Sequence, residues 1–560
     1  MTLRENVLYT PLEVQEEGTN KKPHQLPPSP SRWKTPEFYC YYLLYLIVIP
    51  YILKVAYNIS SESHPNYYQY AGSLSKGWLF GRSVDNSDGQ FASFRNNYFY
   101  IGGCMVIYIV CGQGVKYLSR SIFSSQQMCL RIFFSLFFSF AFISFIYGAN
   151  IIKILVLVTV NYLLAKLCGR SRISPFVTWL FNITVLFANE RYHGYTFSMF
   201  SERLAYLDQY SGVMRWYILF NISTLRMISF NMDYYWSHSS RKRVTQSTED
   251  GIEETFANER DRIETSHLPS DYNFIYYLTY VFYTPLYMAG PIITFNNFIS
   301  QLRFPCKTIT VKSTLRYGAR VLGSIFLMEI MLHCFYVVAI SRAKAWTGYT
   351  PLEMSMVGYL NLKLIWLKLL IIWRFFRFWA MADGVEVTEN MLRCMSNNYS
   401  ALGFWRSWHR SYNRWLIRYV YVPLGGSKYQ AYNMWFVFTF VALWHDISMR
   451  LLAWAWLICL FILPELICTA SFAKPKYQSR PWYRHVAGVG GVANVILMMI
   501  ANLVGFAVGL DGVKEMLIGI FNFDGIFFLI MTFFSVYATV QIMFEVREHE
   551  RRKYGNYLNY

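Results

Sequence analysis

An all-α membrane protein that crosses the bilayer several times is the fold class this sequence predicts, and three observations predict it. Hydrophobic residues make up 54% and aromatics 19% of the 560 residues, while only 15% are charged, against roughly 25% charged in soluble domains. Apolar stretches close to the ~20 residues that a helix needs to cross a hydrocarbon core recur along most of the chain. The Lys and Arg residues sit mainly between these apolar segments.

In chain order, Phe38–Tyr57, Tyr98–Val115, Val321–Ile340, Val486–Leu510 and Ile526–Phe544 are the strongest candidate spans. Weaker ones are Ile132–Tyr147, Ile151–Leu167, Ser174–Asn189, Trp216–Tyr234, Tyr272–Ile293, Leu360–Trp379, Met434–Trp444 and Leu451–Leu466. Together they predict about 10–13 membrane-embedded helices, the shorter or more polar ones re-entrant or interfacial. Residues 1–35, with Glu5, Glu13, Glu16, Glu17 and a Pro-rich stretch, read as a mobile hydrophilic tail without a cleavable signal. Residues 36–560 read as one membrane-embedded domain. Its clearest polar interruption, 237–271, mixes Arg241-Lys242-Arg243 with clustered carboxylates and is expected to be a solvated loop.

The formal net charge is +19, yet the basic residues lie between apolar segments instead of in a soluble basic domain. The expected partners are therefore membrane lipids and not nucleic acid. Basic residues flank segments on both nominal sides, so the sequence leaves orientation open. The ten cysteines form no CxxC pair and lie mostly in or beside apolar segments, which predicts neither a metal site nor a disulfide framework. Asn58, Asn182, Asn221 and Asn398 stand in N-x-S/T sequons but adjoin apolar segments, where glycosylation is disfavoured.

Chemistry concentrates between Leu392 and Asp446. Arg406, Arg410, Arg414 and Arg418, spaced by four, predict a basic stripe on one face of a helix. Trp405, Trp408, Tyr412, Trp415 and Tyr419 fall on the opposite side, with His409 and Asn413 at the border. Such a helix suits a membrane interface at which guanidinium groups meet phosphate. Farther on, the run Met434–Trp444 delivers His445 and Asp446. Eleven helical residues cover only about 16 Å, which places the histidine deep in the protein, and an ionisable group there is a candidate functional site. Asp446 is expected to cap or orient the next element, since adjacent helical positions do not face each other. His333, with Glu329 one turn earlier, is the other intramembrane pair and reads as structural.

Phe404-Trp405-Arg406-Ser407-Trp408-His409, followed by Trp444-His445-Asp446, resembles the membrane-bound O-acyltransferase (MBOAT) family. So do Tyr421-Val422-Pro423-Leu424-Gly425-Gly426 and Pro285–Ile292, the latter with Phe295 and Phe298 after it. Gly77–Arg82, Val84–Asp88 and Val540–Glu545 are similar to a branch historically linked to glycerol uptake and understood to remodel glycosylphosphatidylinositol (GPI) anchors. The resemblance implies an MBOAT-type helical core in the endoplasmic reticulum. The implied reaction moves a long or very long acyl chain from acyl-CoA, a co-substrate, to a lipid hydroxyl such as that of a lyso-GPI; no tightly bound cofactor is implied.

Carried over, the family's catalytic histidine falls on His445 and its second, variable position on His409. Arg406, Trp408, Arg410, Asn413, Arg414, Trp415 and Asp446 become candidate substrate contacts. Two alternatives stay open: a glycerol–proton symporter, against which the absence of an internal repeat argues, and a protein acyltransferase of the same fold.

Overall fold

The computed structural model describes residues 29–122, 127–238, 258–520 and 523–554. The tail up to residue 28 and the basic and acidic runs at 241–254 lie outside the described residues. Among those described, the chain is helical, and its extended pairing is confined to isolated bridges joining Ser75 to Val84 and Met391 to Trp408.

The helices are α1 (Pro36–Ile59), α2 (Gly89–Asn96), α3 (Tyr98–Ile122), α4 (Gln127–Tyr147), α5 (Ile151–Cys168), α6 (Ser174–Arg191) and α7 (Trp216–Ser237). There follow α8 (Glu259–Glu264), α9 (Phe274–Val281), α10 (Thr284–Tyr287), α11 (Phe295–Arg303), α12 (Val311–Cys334), α13 (Val337–Ala343) and α14 (Pro351–Asp383). The remainder are α15 (Ala401–Ser407), α16 (Arg410–Leu416), α17 (Gln430–His445), α18 (Met449–Phe472), α19 (Pro475–Gln478), α20 (Tyr483–Asn502), α21 (Gly509–Ile520) and α22 (Phe523–Tyr554).

Among the described residues, seven helical stretches are long and apolar enough to cross a membrane. They are Pro36–Ile59, Tyr98–Leu118, Met128–Cys168, Pro351–Asp383, Met449–Phe472, Tyr483–Ala507 and Gly525–Lys553, and α12 with α13, bent by 51°, makes an eighth if the pair counts as one span. The other apolar stretches form shorter or more polar helices. The expected segment Tyr272–Ile293 breaks into α9 and α10. Fully buried Arg226 on α7 holds that break, donating to the carbonyls of Val281 at 2.8 Å and Leu286 at 2.6 Å. Carbonyls freed at a helix end need such a donor when water is excluded.

The segment between α1 and α3 is tied down by its polar residues. Asp85 accepts from the backbone of Val338 and Ala339 at the start of α13. Arg95 forks onto Glu329 with two 2.6 Å bonds, and Trp78 donates through its backbone to His333 at 3.3 Å and through its indole to Glu329 at 3.1 Å. Gly77 has no room for a side chain, as a Cβ there would lie 2.0 Å from the Arg82 carbonyl oxygen and 2.7 Å from the His333 ring. His333 and Glu329 are thus an anchor for this segment, in keeping with their structural reading.

The expectation of a solvated loop over 237–271 needs correction at its C-terminal end. Arg262 on α8 is 2% exposed and bonds Glu386 at 2.6 Å and Asn297 at 3.0 Å. His267 is also buried, against the Asn296 carbonyl. Charge composition misled here because these ionic groups find partners on other elements instead of water.

Candidate active site

Three short helices, none long enough to span a bilayer, build the site. Ser400 caps α15 by accepting from Gly403 at 2.9 Å. Glu465 of α18 bonds Ser400 and accepts from the free backbone N–H groups of Ala401 (2.8 Å) and Leu402 (3.3 Å). The helix stops at Ser407. Trp408 is extended, and His409 is left-handed at φ 46° and ψ 52°. Buried Asn390 then starts α16, its carbonyl taking the N–H of Arg410 and its side chain that of Ser411.

The single amphipathic helix expected from the four-residue spacing is therefore two helices with a turn between them, and it continues after Leu416 as a π-helical turn over Ile417–Tyr421. A left-handed residue other than glycine is uncommon and concentrates at constrained sites. Here the turn lays the His409 ring on Trp373 of α14, with centroids 4.5 Å apart and planes 21° apart.

His445 ends α17, and the last turn of that helix is clamped from α7. Asn221 donates through its side chain to the Trp444 carbonyl at 2.9 Å, and the Trp444 indole donates back to the Asn221 carbonyl at 2.9 Å. The His445 ring packs on Trp444, with centroids 4.7 Å apart. Tyr412 stands between the two histidines, 5.2 Å from the His409 ring and 6.5 Å from that of His445.

All three line one cavity of about 500 Å³. Its wall is mostly aromatic and aliphatic, from Trp373, Trp405, Phe438 and their neighbours, with Arg406, Asn413, Gln430, Asn502, Gln90 and Lys368 as its principal other polar groups. His445 is exposed to this space although the protein surrounds it.

The predicted site residues divide. His445, His409, Arg406, Trp408 and Asn413 come together on the cavity. Arg410, Arg414, Trp415 and Asp446 do not line it. Arg414 bonds Glu259 and Thr388. Arg418 bonds buried Asp233 at 2.9 Å. Trp415 donates to Ser229 at 2.8 Å within the core, and Arg410 is buried. Asp446 leaves the helix in extended conformation. Arg406 differs from Arg414 and Arg418 in that no carboxylate comes within ion-pair distance of it among the described residues.

Sequence reasoning missed Asn390 and Lys368, read Asn221 only as a sequon, and placed Tyr412 only on the aromatic face of the helix. Of the other sequons, Asn182 and Asn398 are buried. No group of three or more His, Cys, Asp or Glu that could hold a metal ion occurs among the described residues.

The model of the MBOAT (membrane-bound O-acyltransferase) family matches residues 194–510, which hold α7 through α20 and both histidines. This chain belongs to the membrane-bound O-acyltransferase family. It is 43% identical to the membrane-bound O-acyltransferase GUP1 of Saccharomyces cerevisiae over 96% of this chain and 95% of the relative. It is 42% identical to the membrane-bound O-acyltransferase gup1 of Schizosaccharomyces pombe over 94% and 91%. The mouse protein-cysteine N-palmitoyltransferase HHAT is 29% identical over 33% of this chain and 39% of its own. The MBOAT match and the long apolar helices make this a multi-pass membrane protein of an acyltransferase family.

Proposed function

We propose that this chain transfers a long or very long acyl group from acyl-CoA to a lipid hydroxyl, with the lyso form of a GPI anchor in the endoplasmic reticulum membrane as acceptor. The observation that carries the reading is the convergence of His409, Tyr412 and His445 on one largely apolar cavity that also holds an arginine with no carboxylate partner among the described residues.

In this reading neutral His445 accepts the acceptor's hydroxyl proton as that oxygen attacks the thioester carbonyl. The tetrahedral intermediate collapses with cleavage of the C–S bond, and the proton passes from His445 to the departing thiolate, leaving ester and free CoA. A histidine, with an ordinary pKa near 6.5, suits both proton transfers. His409, stacked on Trp373, orients the thioester or its developing oxyanion, and Asn413 offers a further donor. The apolar wall accommodates hydrocarbon and excludes the water that would hydrolyse the thioester. Arg406 supplies charge for a CoA phosphate.

The test is transfer of labelled very-long-chain acyl-CoA to lyso-GPI in microsomes, with wild type and His445→Ala at matched amounts of folded protein. Loss of product of roughly 10²-fold or more in the variant is expected, the typical worth of a general acid–base. Equal product would remove His445 from the chemistry. No product from wild type, with acylation of a protein instead, would replace the lipid acceptor.

A further inference from the structure

One group on the cavity wall is left without a role by the reaction as proposed. Lys368 lies on the face of α14 that the cavity follows from Leu362 to Trp373, a run of about 16 Å at 1.5 Å per residue. Its ammonium bonds Asp88 at 2.6 Å, and the Lys368 side chain is 11% exposed. Among the described residues this is its one polar partner, so two of its three N–H donors remain unused. Asp88 itself is fixed as the cap of α2, accepting from Phe91 at 3.0 Å. Gln90, two residues on, also lines the cavity, and its side-chain amide has no partner among the described residues.

The segment that carries Asp88 and Gln90 is held rigid by the Asp85, Arg95 and Trp78 bonds described above. Rigid placement of free donors and acceptors on a cavity wall is the arrangement that recognises a polar ligand with little ordering cost. The pair also differs electrically from Arg406. Lys368 is neutralised by Asp88, so this region does not select a net anion. It offers the unused ammonium protons of Lys368 and the Gln90 amide, which donates and accepts, while Asp88 stands behind Lys368 as its counter-ion; the two lining groups together match vicinal hydroxyls.

We propose that Lys368 and Gln90, with Asp88 holding the ammonium of Lys368 in place, form the site for the acceptor's headgroup, selecting a lysolipid whose headgroup bears hydroxyls, of the inositol class. The inference rests on the lipid-acceptor reading above. It divides the cavity into two regions meeting at the histidines: the donor's phosphates toward Arg406 and the acceptor's headgroup toward α2 and α14. The segment Val84–Asp88, singled out in the sequence, thereby becomes part of the substrate site.

The experiment uses the full-length protein in lipid nanodiscs with a lysophosphatidylinositol carrying a photoactivatable group on its inositol ring, and maps the labelled peptides. Labelling is expected in 86–97 and 361–369. Lysophosphatidylcholine, which shares the phosphate but lacks the hydroxyls, should compete at least ~10-fold more weakly, since a site built on hydroxyl hydrogen bonds rejects analogues without them. Lys368→Met should reduce labelling at least tenfold while the KM for acyl-CoA stays within twofold. Asp88→Asn keeps a good helix cap and should shift labelling in the same direction, which separates recognition from misfolding. Labels concentrated around Arg406 and Gln430, equal competition by the choline lipid, or a rise in the acyl-CoA KM in place of lost labelling would each overturn the site. The labelling does not depend on turnover, so failure of wild type to acylate any lysolipid would count against the proposed reaction alone.

Discussion

At the residue scale, the arginines spaced by four show how one residue type serves two purposes. Arg418 pairs with Asp233, which is fully buried, so truncating Arg418 strands a carboxylate. Arg418→Ala is expected to destabilise the protein by about 3–5 kcal/mol. Arg406 has no such partner among the described residues, and Arg406→Met should leave the melting temperature near that of wild type and raise the KM for acyl-CoA. Thermal melts set beside initial-rate kinetics for the two variants check the pair of expectations. If Arg406→Met melts like Arg418→Ala with unaltered KM, its assignment to phosphate fails.

Asn221 acts through another group. Its side chain holds the carbonyl that precedes His445 and, through it, the angle at which the imidazole meets the cavity. Asn221→Asp removes the donor at nearly constant volume. It is expected to lower kcat about 10-fold or more, with the KM for acyl-CoA little changed, because a small misplacement of a reacting group is costly in rate. A purely structural role would instead lower the amount of folded protein and leave the kcat of the folded fraction intact.

At the element scale, the turn at His409 marks where sequence reading stopped being sufficient. The run from Phe404 to Tyr419 contains neither Gly nor Pro, and its aromatics keep helical spacing, so nothing local announces a break. The break comes from distant partners: Asn390 caps the second helix, and Glu465, some 60 positions after the first, caps that one. Tertiary capping of this kind leaves no trace in the periodicity it interrupts. The long spans were legible because burial in hydrocarbon imposes its own pattern on composition. His445 was legible because an ionisable group closing an apolar run is costly without a use.

The same turn gives a further expectation. Asparagine tolerates the left-handed region better than other non-glycine residues, so His409→Asn should fold and retain a polar group on the cavity. His409→Val, β-branched, should be strained in the backbone and lose the stack on Trp373. Detergent-stable yield and activity are expected to fall in the order wild type, Asn, Val, and a valine variant equal to the asparagine one in yield would contradict the conformational argument.

At the scale of the whole molecule, the spanning helices are scaffold, and the site is built from pieces that do not span. α14, α18 and α20 are long and apolar, whereas α15, α16 and α17 are short helices whose ends are satisfied by side chains from α7, α18 and the segment before α15. Polar backbone at membrane depth is tolerated where protein encloses it, and here that enclosed backbone carries the histidines. The segment around α8 belongs to the enclosure, although its composition suggests solvent. Through Glu259 it reaches Arg414 on α16, and through Arg262 it reaches Glu386 and Asn297. Two arginines on the same short helix therefore provide a contrast. Arg262→Ala leaves polar partners without their buried cation and is expected to cost about 3–5 kcal/mol. Arg260, an exposed residue that bonds Glu264 one turn on, should change stability by no more than about 0.5 kcal/mol when replaced by alanine. Melting temperatures of the two purified variants in one detergent decide the matter: a large drop for Arg262→Ala alone makes α8 part of the folded body around the site, and equal small changes would return the segment to the solvated loop that its charges suggest.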